Sequence, residues 1–161
     1  MAEILLNRQA LNNADDLKKV SSVAEYPLGF EVETIDENKN LRKYIYVKSG
    51  AAISAKNVVM VNPGFVATTL ATSAFAKLTG VANVAIASGS FGFIQIKGQT
   101  VAVSASTTTK DHYTKLITAV ATFADSSSVV ASTNAIINET LEAAGDCSIT
   151  LLGISSEVAA S

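Results

Sequence analysis

The chain has 161 residues and a formal net charge of −2, enough for one domain, or one domain with an arm. Charged residues make up 16% and hydrophobic residues 48%, against a usual charged share of roughly 25%. Nothing in these figures points to a basic nucleic-acid patch, and a single cysteine excludes an internal disulfide or a cysteine-based zinc site.

Much of the apolar share is Ala and Val interleaved with Ser and Thr, side chains that suit close-packed contacts between subunits better than large cores. An exterior so thin in charge implies cover by copies of the chain or by a larger object. In residues 1–24, Glu3, Asn7, Arg8, Asn12, Asp15 and Asp16 interrupt any leader-like apolar run. No window reaches the roughly 18–20 apolar residues that a membrane span needs. The expectation is synthesis in the cytoplasm, with no membrane partner.

Within 1–24, Asn12 and Asn13 can cap a short helix, with Asp15 and Asp16 in its first turn and Lys18 and Lys19 in its last. Leu11, Ala14, Leu17 and Val20 form a narrow apolar stripe. A helix of two or three turns is marginal alone, so it needs a surface, either on its own domain or, as an arm, on a partner. Beyond Pro27 the period becomes two. Phe30, Val32 and Thr34 alternate with Glu31 and Glu33, residues 36–40 form a polar turn, and Leu41 to Lys48 return. On that return strand Ile45 and Val47 face opposite to Tyr44 and Tyr46. Lys56 to Val61 is a strand stopped by Asn62-Pro63-Gly64. Ala71 to Leu78 is a helical turn or a loop.

Residues 80–98 predict a hairpin turning at Ser88-Gly89-Ser90 and ending at Gly98. In it Phe91 and Phe93 share one face and Ile94 and Ile96 the other, as in a strand buried on both sides. Val101, Val103 and Ala105 align on one face of a strand from Thr100 to Ala105. His112 to Val120 and Ser128 to Ala131 are further strand candidates. Asn134 to Ala144 fits either a capped helix or a strand, and Ser148 to Ile154 closes the series. Short strands spaced near ten residues imply an all-β barrel or sandwich.

Catalysis has little to work with. His112 is the sole histidine and sits between Asp111 and Tyr113, where it reads as a turn or strand-start residue. Gly89-Ser90-Phe91-Gly92 misses the nucleophile-elbow spacing. Asp36-Glu37 lacks calcium-loop periodicity, and no dinucleotide or phosphate loop occurs. Asn138-Glu139-Thr140 matches a glycosylation sequon by letters alone. Cys147 reads as a buried structural thiol. The expectation is no enzyme, no cofactor and no metal.

Three blocks carry a resemblance: Tyr26-Pro27-Leu28-Gly29; Tyr44 to Ile53; and Gly80-Val-Ala, Val84 to Ala87 and Gly92 to Gly98. A weaker echo lies in Leu141 to Asp146 and Ile149 to Leu152. In order and spacing these blocks resemble the capsid decoration (cement, or head auxiliary) proteins of tailed bacteriophages, over about residues 26–105. The chain departs from the family pattern at Phe93, where an indole is frequent, and over residues 106–134.

The resemblance implies a β-barrel or tulip-like domain, often trimeric, seated on the capsid exterior where capsomers meet. It also implies that Leu141 to Ala144 is a strand paired across Gly145-Asp146 with the last one. The resulting expectation is an all-β protein with an N-terminal capsid-docking arm (1–24) containing a short helix, and a decoration domain (25–161). Its function would be structural: a cement protein of the virion, bound to the major capsid protein as a homotrimer. The expected contact residues are Leu5, Leu6, Leu11, Leu17 and Val20 for apolar docking, and Arg8, Lys18 and Lys19 for charge pairing. The competing reading is a carbohydrate- or receptor-binding module on a head or tail fibre, with Tyr44 and Tyr46 as its platform.

Overall fold

The computed structural model describes residues 3–5, 11, 14–69, 77–116, 121–128, 135–153 and 155–156. Its strands are β1 Glu3–Leu5, β2 Glu31–Asp36, β3 Leu41–Ser49, β4 Val58–Val61, β5 Val66–Thr68, β6 Lys77–Val81, β7 Phe91–Ser104, β8 Tyr113–Leu116, β9 Phe123–Ser126, β10 Ala135–Ile137, β11 Gly145–Leu152 and β12 Ser155–Ser156. Among the described residues the one helical element is a 3-10 turn over Ala14–Lys18, tighter and shorter than the expected helix. Its charges follow the helix dipole, but five residues are too few to sustain an α-helix.

Five strands close a barrel: β3 pairs β5, β5 pairs β4, β4 pairs β6, β6 pairs β7, and β7 returns to β3. Ile45, Val47, Val59, Val61, Ala67, Ile94 and Ile96 fill it, with Ile53 and Ile86 bridging across one end. Side chains alternate along a strand, so Tyr44, Tyr46 and Phe93 point to the outside of the same strands. There they are buried with Val32, Leu11 and Leu17. Both sides of β3 and β7 are therefore covered, as the opposed Ile/Val and aromatic sets predict.

The long strand β7 continues past this barrel and seeds a second ring. β11 pairs with its later half, β10 with β11, β8 with β10, β9 with β8, and β9 returns parallel to β7 at Phe123 and Ser104. Ala102, Phe123, Ala135, Ile137, Cys147, Ile149 and Leu151 fill this ring, and Val58 and Val81 from the first barrel pack against them. The two units are held together by the shared strand, by Val103 N–H donating to Lys56 O at 3.1 Å, and by Val58 N–H donating to Ala121 O at 2.8 Å. The Lys56 ammonium also pairs with the Asp146 carboxylate across the junction.

Several expectations change in detail. The turn at Ser88-Gly89 is present, but it joins no simple hairpin. The strand before it ends at Val81, and Ile86 bridges to Ile53 instead of to β7. Gly98 does not end a strand; it lies within β7 at φ 90°, where a Cβ would collide with the Leu41 carbonyl oxygen. A register shift between Lys43 and Tyr44 against β7 marks a bulge at the same place. Val101, Val103 and Ala105 share a face as expected, and it is the outer one, while Ala102 and Ser104 turn inward. Asn134 to Ala144 contains the short strand β10 and no helix among its described residues. β10 pairs with β11, while Gly145 and Asp146 already belong to β11 and form no turn. β9 carries one large apolar residue, Phe123, and had no signal of its own in the sequence. Residues 70–76 and 129–131, parts of two ambiguous stretches, lie outside the described residues.

Candidate functional site

Two residues could carry chemistry, His112 and Cys147. His112 precedes β8, and its Nδ1 lies 2.7 Å from Asp125 Oδ1, while Asp125 Oδ2 accepts from the Thr109 amide at 2.6 Å. The pair ties the turn 109–112 to β9. Cys147 is fully buried inside the second ring, and burial raises its thiol pKa, so it stays protonated and unreactive. Among the described residues no group of three or more metal-ligating side chains exists, and no helix is long and apolar enough to cross a membrane.

The tyrosines of the carbohydrate reading are likewise internal. Tyr44 is 3% exposed and Tyr46 2%, so neither can serve as a platform. Tyr46 packs at 4.9 Å from Phe93 and edge-on at 5.2 Å to Tyr26, and its hydroxyl accepts from the Glu25 amide at 3.1 Å. The cluster cements the first barrel to the segment before β2.

The described residues of 1–24 pack on the domain. β1 lies antiparallel on β2, with Leu5 opposite Thr34. Leu11 and Leu17 are buried against Tyr44, Tyr46 and Phe93, and Val20 packs partly buried against the barrel core. The apolar stripe is thus real, and in the free chain it faces inward. Leu6 and Arg8 lie outside the described residues. Lys18 and Lys19 point outward: Lys18 lies 3.8 Å from Asp15, and Lys19 pairs with Glu25 at 3.1 Å, a contact that raises the Lys19 pKa.

What this segment does expose was missed. Val23 is 69% exposed and Leu28 38%, both in the connection that leads from the 3-10 turn to β2. Val23 lies between Lys19 and Glu25 in sequence and Leu28 follows them, so the exposed part of residues 14–30 carries two apolar side chains among opposite charges. A turn-embedded apolar residue (Ser-Ser-Val-Ala, Pro-Leu-Gly) was the available signal. It carries no periodicity to draw notice.

No protein-family model matches this chain, and no curated protein sequence matches it. Among solved structures, it is similar to the head fiber gp8.5 N base of bacteriophage phi29, with a TM-score of 0.52 and 8% sequence identity. The match covers 70% of this chain and 95% of that one. The likeness is one of fold.

Proposed function

We propose that this chain is a non-enzymatic structural protein of a tailed-phage head, seated on the outside of the shell against the major capsid protein. The observation that carries the reading is the fold likeness to a head-fibre base, 95% of which is covered. Between a flat cement and the base of a projecting appendage, the same likeness favours the base. The burial of Leu11 and Leu17 supports this too, because a folded-back segment offers a compact seat instead of a free arm.

The seat is the outer side of residues 14–30. Val23 and Leu28 supply apolar area, each worth on the order of 1–2 kcal/mol when covered. The exposed charges Asp15, Lys18, Lys19 and Glu25 set the register against the shell. Such a contact is weak for one copy. In a homotrimer three copies act through effective concentration and hold firmly. The test is a Val23→Asp/Leu28→Asp double variant, which touches no core residue and keeps the native melting temperature. Co-sedimentation with heads lacking the protein falls by at least tenfold. Undiminished co-sedimentation would remove the seat.

A further inference from the structure

The junction of the two barrels holds a cleft of about 260 Å³, walled by Arg42, Lys56, Asn83, Gln99, Thr100 and Val101. Its floor is Gln95, which is 1% exposed and bonded through both its amide N–H groups and its carbonyl oxygen. Gln95 Nε2 donates to Lys97 O at 3.2 Å and Gln99 O at 2.9 Å, and its Oε1 accepts from Asn83 Nδ2 at 3.1 Å. Those bonds hold the kink at Gly98 and fix the cleft's shape.

The rim is pre-ordered in the same way. Thr100 Oγ1 donates to Asn83 Oδ1 at 3.2 Å, and Gln99 Nε2 donates to Ser148 Oγ at 3.2 Å. A primary amide has two N–H donors and a carbonyl with two lone pairs. Asn83 and Gln99, both exposed, therefore keep donors and acceptors to aim into the cleft. The two cations do not make it an anion site, since Arg42 lies 3.4 Å from Asp36 and Lys56 pairs with Asp146. Each brings its own carboxylate. Val101, 42% exposed, contributes the apolar wall.

We infer that this cleft binds a neutral sugar, one or two pyranose units of a glycan. The chemistry is that of a polyol: adjacent hydroxyls that both donate and accept, and an aliphatic ring face for a small apolar wall. Side chains held in place before binding lose little entropy on contact. No aromatic platform contributes, so a single site binds weakly, in the millimolar range. Glycan-bearing surfaces are then engaged through several copies at once. The inference does not rest on the shell-seating reading, because the cleft is lined by residues of 42–101 and by none of residues 14–30.

The experiment uses the purified full chain, isotope-labelled, titrated with glucose, galactose, N-acetylglucosamine and their disaccharides. Inorganic phosphate and acetate serve as anionic controls. At least one saccharide shifts the amide signals of Asn83, Gln99, Thr100 and Val101, and phosphate and acetate do not. Gln99→Ala weakens saccharide binding about tenfold, as expected for one lost hydrogen bond, with the signals away from the cleft unchanged, and Asn83→Ala weakens it at least as much while also shifting the signals of Gln95 and Thr100, its two partners. No response to any saccharide overturns the inference, as does a response to the anions alone or binding that both variants retain in full. Head co-sedimentation of the same variants stays intact, which separates this site from the shell seat.

Discussion

Asp36 closes the β2–β3 hairpin by accepting from the Asn38 and Asn40 amides, each at 2.9 Å, and from Asn40 Nδ2 at 3.2 Å. The Asn40 backbone bond is the leading cause of a carboxyl pKa below the ordinary aspartate range, with Arg42 adding to it. A depressed folded pKa places the stabilisation above the unfolded value of about 3.9 and withdraws it as pH falls through the folded value. Thermal melts from neutral pH to below pH 3 thus show a loss of stability in the acid range, and Asp36→Asn flattens that slope. An identical slope in the variant would assign it to other carboxylates. Residues of this kind were legible only in part. Asp36-Glu-Asn-Lys-Asn40 announced a turn, whereas a reach of four residues back to one carboxylate depends on the turn's geometry. The same limit hid Gln95, since a glutamine between isoleucines gives no sign that it clamps a kink.

At the level of elements, the 3-10 turn and the strand kink have opposite histories. Leu11 and Leu17 were visible as a stripe, and their burial against Tyr44, Tyr46 and Phe93 gives the stripe its purpose. Leu17→Ala removes most of a buried side chain and costs about 2–3 kcal/mol, read as a lower denaturant midpoint with an unchanged slope. No shift in midpoint would mean that the segment detaches readily. Gly98, by contrast, punctuates β7 as an end would, and a sequence cannot tell a kink from a stop. Its φ of 90° and the Leu41 carbonyl beside it make Gly98→Ala destabilising by about 2–3 kcal/mol. Full stability in that variant would contradict the crossing. The strands β2 and β3 were legible from alternation closed by a polar turn, and β4 from a continuous apolar run, buried throughout, that stops at Asn62-Pro63-Gly64. β9 was not, since its place is set by partners in β8 and β7.

Across the whole molecule, the two rings explain why Val101 and Val103, which share a face as their spacing predicts, turn outward. Phe123, Ile149 and Leu151 from other strands already fill the second ring, so β7 contributes small Ala102 and Ser104 inward and turns its larger valines out. The all-β class was plain from spacing and turns. The joining of two barrels by one 14-residue strand was not, because closure depends on contacts far apart in sequence. Scarcity of charge suited a covered exterior, and the proposed seat puts that cover at the exposed Val23 and Leu28. The central claim is that this side seats the domain on a phage head. It is tested most directly by imaging, in vitreous ice, heads lacking the protein after incubation with the purified chain. The account predicts added density on the outer shell that fits the two barrels, three copies to a site, with Val23 and Leu28 at the shell. Bare heads after incubation at saturating protein, or density with residues 14–30 facing away, would contradict it.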